Sequence, residues 1–173
     1  MARVALVTGG SRGIGAAISK GLKAAGYNVA ASYAGNDEAA AAFTAETGIK
    51  TYKWDVSDYD SCVAGIAKVE ADLGPIEVLV NNAGITKDGM FHKMTKDQWY
   101  GVINTNLNGT WYMMQSAAQR WRERFMLSGD SMFPRIGDAT QRAQLEARTL
   151  ALLAAGIRTA LITALIGPAL IAW

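Results

Sequence analysis

Gly9, Gly13 and Gly15, within the stretch VTGGSRGIG from Val7 to Gly15, are the residues whose spacing most directly implies contact with a ligand. Glycines placed just after an apolar run let main chain pass close to another group. A helix starting there offers free N–H groups and the positive end of its dipole. The G-x-x-x-G-x-G spacing has a longer turn than the dinucleotide fingerprint G-x-G-x-x-G, but the same logic leads to a pyrophosphate resting on bare backbone. The competing reading is a tight strand-to-helix turn that holds nothing. Arg12 adds a guanidinium inside the loop, a group that pairs with phosphate through two parallel hydrogen bonds. Further on, SYAGN has no acid before Asp37 to hold a ribose 2′-hydroxyl, so these residues favour NADP over NAD.

Other chemistry-bearing residues are sparse. His92 is the sole histidine and Cys62 the sole cysteine, far apart in sequence, so both read as packing or surface residues and no metal site is expected. A lone cysteine forms no internal disulfide, which suits a reducing, cytoplasmic compartment. The pairs Trp99–Tyr100 and Trp111–Tyr112 fall at helical spacing and read as core rather than as base-stacking platforms. The formal net charge of +2 is too weak to call for nucleic acid.

The elements that must position the loop follow from periodicity. RVALVT (Arg3–Thr8) is a short β-branched run, predicted to be a buried strand. A helix is expected over Ile14–Ala25 with Gly26 as its C′ residue, then a strand in YNVAASY. Asn36 is placed to cap a helix over Asp37–Glu46. IKTYKW alternates as a strand, and the next helix opens with Ser57 as cap and closes at Gly74. IEVLVNNAG is a fourth strand ending in a second glycine turn. A further helix begins near Thr95 and runs past Gln115. Strand–helix alternation with short links implies parallel strands and right-handed crossovers. The expected fold is α/β, an incomplete Rossmann-like doubly wound sheet of about four strands followed by a helical apolar tail.

Three ordered motifs, TGGSRGIG (Thr8–Gly15), NNAG (Asn81–Gly84) and NTNLNG (Asn104–Gly109), resemble the short-chain dehydrogenase/reductase family. ARVALVTGGSRGIGAA, GITKDGMFHKMT and QWYGVINTNLNGT are similar to its branch of bacterial NADPH-dependent acetoacetyl-CoA reductases, over roughly Met1–Gln115. That resemblance implies reduction of a 3-oxoacyl thioester in polyhydroxybutyrate synthesis. It implies that Gly9, Ser11, Arg12, Gly13, Ile14 and Gly15 line the cofactor phosphates, and that Asp55 and Val56 face the adenine. It places Asn82, Ala83 and Gly84 along the ribose, and makes Asn106 the family's catalytic asparagine at a kink in its helix.

The same resemblance exposes a gap. Hydride transfer to a ketone leaves an alkoxide that needs a positioned proton donor. The family supplies it with a tyrosine whose pKa is lowered by a lysine four residues later, beside a serine. Tyr27, Tyr33, Tyr52, Tyr59, Tyr100 and Tyr112 are followed at that distance by Ala31, Asp37, Val56, Val63, Asn104 and Ser116. No lysine stands at any of these places.

Composition changes along the chain. All eight lysines lie between Lys20 and Lys96, and every later basic residue is arginine. Two regions are therefore expected, an NADP-binding part over 1–118 and a divergent Arg/Ala/Leu-rich helical tail over 119–173. Leu150, Leu153, Ile157, Leu161 and Leu165 form a stripe at helical spacing, and Arg158 is the single charge after Arg148. The tail reads equally as a membrane-contacting helix or as a soluble helix over an open sheet edge, and the change from lysine to arginine favours fusion, truncation or a shifted frame as its origin. No signal-peptide pattern opens the sequence. The combined expectation is a truncated or fused reductase-family chain with impaired catalysis, forming a homo-oligomer or pairing with a full-length reductase. The rival is a non-catalytic nucleotide-binding or assembly module.

Overall fold

The computed structural model describes residues 2–128; the apolar stripe, and the tail expected over 119–173 apart from its helical residues 119–128, lie outside the described residues. The chain divides into two compact units, Met1–Gln119 and Arg120–Trp173. In the first unit the strands are β1 (Val4–Val7), β2 (Asn28–Tyr33), β3 (Lys50–Lys53) and β4 (Ile76–Val80). They form one sheet in the order β3-β2-β1-β4. Every pairing is parallel, with Val7 opposite Ala31 on one side and Val80 on the other.

Helices α1 (Gly13–Ala24), α2 (Asp37–Thr47) and α3 (Tyr59–Leu73) make the crossovers. One core cluster joins Ala5, Val7, Val29 and Ala31 of the sheet to Leu22 of α1 and Phe43 of α2. Alternate strand residues Val4, Leu6 and Ala30 are equally buried, so the sheet is covered on both faces. That explains why β1 reads as an unbroken apolar run. Burial of a side chain the size of Phe43 is worth about 1.5–3 kcal/mol, enough to anchor α2 despite its weak amphipathicity. On α3, Cys62, Ile66 and Val69 are buried at helical spacing.

The helix signals hold with two changes. Asn36 caps α2, its side chain accepting from Ala39 N at 2.9 Å, and Gly26 follows α1 with φ of 88°. Helix α3 is capped by Asp58 rather than Ser57: Asp58 Oδ1 accepts from Ser61 N at 2.6 Å, while Ser57 donates its own N–H to Asp55. The long helix from Thr95 is broken. Thr95 forms a complete capping box with Gln98 at the start of α4 (Lys96–Ile103). A π-helical turn over Asn104–Asn108 then leads into α5 (Gly109–Ser128). Trp99, Tyr100 and Trp111 are not core, each being more than half exposed. Among the described residues no helix is long and apolar enough to cross a membrane.

Candidate functional site

The chain leaves β1 for β2 and β3 on one side, then returns to lay β4 on the other. The glycine loop after β1 therefore occupies the point where strand order reverses, the place where open α/β sheets bind ligands. Neighbouring strands hold it there. Gly10 N donates to Ser32 O at 3.0 Å, and Ser19 Oγ of α1 donates to Gly10 O at 3.0 Å.

Thr8 is the residue that fixes the loop to β4, and sequence reasoning passed over it. Its buried hydroxyl accepts from Asn82 N at 2.9 Å and Ala83 N at 3.0 Å, and donates to Val80 O at 3.3 Å. Asn82 returns the contact, its side-chain Nδ2 donating to Thr8 O at 2.9 Å and Gly9 O at 3.2 Å. The Asn82 amide thus staples two glycine turns together. The available signal was a hydroxyl at the end of an otherwise apolar run.

The glycines divide the work. A Cβ on Gly15 would sit 2.1 Å from Gly9 O and 2.5 Å from Asn82 Nδ2, so α1 can start this close to the loop only without a side chain. Gly13 has φ of 53° and open space around its missing Cβ. Gly15 packs; Gly13 faces outward. Ser11 is buried beneath the loop, whereas Arg12 and Ile14 project from it, Ile14 with 73 % exposure.

Capping separates α1 from its neighbours. Helices α2, α3 and α4 each have a side-chain cap, from Asn36, Asp58 and Thr95, and an acidic first turn. Helix α1 has neither: Arg12 in the cap position makes no side-chain hydrogen bond and no acid follows. Its first-turn N–H groups and positive dipole end are left without the partner the other helices supply. Such a start suits an anion in both geometry and charge.

Other expected site residues gather at the same strand ends. Asn106 lies in the π-helical turn, its Oδ1 accepting from Ile85 N at 2.9 Å and its Nδ2 donating to Ile85 O at 3.0 Å. It therefore clamps the loop just after Gly84, whose missing Cβ would lie 3.4 Å from Asn106 Oδ1. Thr110 Oγ1 donates to Asn106 O at 2.8 Å. Val56 is buried where α5 begins, and a Cβ on Gly109 would come within 2.8 Å of its carbonyl oxygen. Asp55 is exposed and folds back on its own turn, accepting from Ser57 N at 2.9 Å. Cys62 is a packing residue whose thiol is pushed up to about 12, first by burial and then by the Asp58 and Asp55 carboxylates. His92 is exposed.

The short chain dehydrogenase family model matches residues 3–126. The chain belongs to the short-chain dehydrogenases. Within that family it is 74 % identical over 124 residues to an acetoacetyl-CoA reductase of Shinella zoogloeoides, a match covering 72 % of this chain and 52 % of that one. An acetoacetyl-CoA reductase of Paracoccus denitrificans is 70 % identical over 124 residues, covering 72 % and 51 %. A 3-oxoacyl-[acyl-carrier-protein] reductase of Staphylococcus aureus is 43 % identical over 130 residues, covering 72 % and 53 %. Among solved structures, an actinorhodin polyketide ketoreductase variant with NADPH aligns with a TM-score of 0.66 and 31 % identity, over 71 % of this chain and 49 % of that one. This short-chain dehydrogenase thus spans about half the length of the curated relatives it matches.

Proposed function

We propose that this chain binds NADPH through the glycine loop and the uncapped start of α1, and that it completes reduction of a 3-oxoacyl thioester poorly or not at all. The observation that carries the reading is α1 itself, uncapped and free of acid in its first turn where α2, α3 and α4 are not. Gly9, Ser11, Arg12, Gly13, Ile14 and Gly15 hold the phosphates, with Gly13 giving the backbone access and Arg12 adding positive charge. Asp55 and Val56 flank the adenine, and Asn82, Ala83 and Gly84 run beneath the ribose. Asn106 sets the path of the Gly84–Ile85 loop that borders the nicotinamide end. The bound nucleotide supplies a hydride to the substrate carbonyl. Identity of 74 % to an acetoacetyl-CoA reductase makes acetoacetyl-CoA the first substrate to test.

The proton is the weak link. No tyrosine in the 173 residues has a lysine four places on, so the alkoxide lacks the family's donor. General-acid catalysis is worth about 10²–10⁴-fold, and turnover should fall short of a full-length reductase by at least that factor. Titrating the purified chain with NADPH by fluorescence, then adding acetoacetyl-CoA and following nicotinamide absorbance, tests both halves. Saturable binding with negligible turnover is expected. Family-like turnover would refute the catalytic half, and absence of binding would refute the whole.

A second reading is supported by the surface of α4, the π-helical turn and the start of α5. Trp99, Leu107, Trp111 and Met114 are each about half exposed or more, an apolar area of the kind that marks a protein contact. On this reading the chain is an assembly module pairing with a second copy or a full-length reductase. Sedimentation velocity of wild type against Trp111→Glu distinguishes an associating chain from a monomer.

A further inference from the structure

Asp37 lies 22 residues past Gly15. Dinucleotide folds place an acid about 20 residues beyond the glycine fingerprint to hold the ribose 2′-hydroxyl of NAD. The end of β2 carries no such acid, and Asp37 at the start of α2 is the first carboxylate beyond it; left free, it would repel a nearby 2′-phosphate. The structure gives that carboxylate another partner. Lys53 Nζ stands 2.8 Å from Asp37 Oδ2. Lys53 ends β3 directly opposite Tyr33, which ends β2. The residue before Tyr33 accepts the Gly10 N–H, so all three groups sit at the strand ends that carry the glycine loop. Asp37 and Lys53 are both about half exposed or more, within reach of an arriving nucleotide.

We propose that Lys53 determines cofactor choice by holding the Asp37 carboxylate, so that a 2′-phosphate meets a neutral pair instead of an anion. This rests on the NADPH reading above and adds to it a specificity residue and a reason why the acid does not select NAD. Each partner favours the other's charged form: the hydrogen bond to Lys53 lowers the Asp37 pKa, and the hydrogen bond to Asp37 raises that of Lys53. An exposed pair of this kind contributes little to folding, so its members can be changed without unfolding the chain.

The test measures dissociation constants for NADPH and NADH by fluorescence titration of the full chain, with far-UV circular dichroism to confirm folding. Lys53→Met should weaken NADPH roughly three- to tenfold while leaving NADH unchanged or tighter, the size expected for one exposed negative charge near a phosphate in moderate salt. Lys53→Met combined with Asp37→Asn should restore the wild-type preference, because the unmasked charge is gone. A wild type that binds NADPH, with an NADPH-to-NADH ratio unmoved in Lys53→Met, overturns the role of Lys53 alone. A wild type that binds neither nucleotide overturns both this inference and the reading beneath it.

Discussion

Replacing Gly15 by alanine should damage the fold, whereas the same change at Gly13 should damage mainly the ligand site. At position 15 the new methyl would lie 2.1 Å from Gly9 O and 2.5 Å from Asn82 Nδ2, both far inside contact distance. Relief requires α1 and the loop to separate by about 1 Å, an overpacking cost of about 1–3 kcal/mol. The same movement breaks the Asn82 bonds to Thr8 O and Gly9 O, present at 2.9 and 3.2 Å. At about 1 kcal/mol for each, less about 1 kcal/mol regained from alanine's helix propensity, the net loss is about 2–4 kcal/mol. That corresponds to a fall in melting temperature of roughly 10 °C. At position 13 nothing lies within reach of the new methyl, and only the positive φ of 53° is strained. The cost is about 1–2 kcal/mol, while the methyl projects to where a pyrophosphate would rest. Thermal unfolding by circular dichroism, paired with NADPH titration, separates the two effects. Gly13→Ala should lose at least tenfold in affinity with modest destabilisation. A Gly15→Ala protein melting within about 2 °C of wild type, or less destabilised than Gly13→Ala, would refute the division of roles.

Asn106→Ala removes both side-chain bonds to Ile85 and should lower stability by about 1–3 kcal/mol in chemical denaturation; an unchanged midpoint would mean the clamp is not formed in solution. The Asp58 carboxylate is held below its usual range by hydrogen bonds from the Ser61 side chain and backbone. Its contribution is therefore complete above the ordinary value of 3.8 and is lost as pH falls through the lower folded value. Asp58→Asn, which can still cap, should flatten that acid limb of a stability–pH curve while leaving neutral stability nearly unchanged, and an identical acid limb would count against the cap. With its pKa raised to about 12 from 9.0, Cys62 stays protonated after an unfolded thiol would ionise. Stability should be intact below pH 9.0 and decline toward pH 12, by at most about 1.4 kcal/mol per unit from this group. The native thiol should also resist aromatic disulfide reagents until denaturant is added, and rapid labelling of folded protein would contradict its burial.

Where apolar runs met glycine turns, the sequence was informative: β1 is buried on both faces, so it reads as a continuous run that stops where the loop begins. Caps at Asn36 and Thr95 were equally plain, because a short polar side chain before a periodic segment has few other uses. Adjacent candidates were harder. Ser57 and Asp58 both suit a cap, and the choice depends on Asp55 claiming the Ser57 N–H. Periodicity alone gave no sign of the π-helical turn, since it shifts the hydrogen-bond pattern by one residue; only the resemblance of NTNLNG pointed to a kink at Asn106. Trp99 and Trp111 were misjudged because periodicity identifies an apolar face but not whether anything covers it. Thr8 and Ser19 escaped notice for a related reason: their role is to satisfy backbone groups from other elements, a long-range requirement with no local signature. The position of β4 beside β1, which puts the loop at the reversal point, also depends on the assembled sheet.

On the proposed reading, the bare start of α1 is left uncapped to receive a diphosphate. Amide chemical shifts of isotopically labelled protein, followed as NADPH is added, test it residue by residue. The Gly13, Ile14 and Gly15 N–H signals should move together and saturate, while those at the starts of α3 and α4, already bonded to Asp58 and Thr95, should stay in place. Stationary Gly13–Gly15 signals, or equal movement at the capped helices, would contradict it.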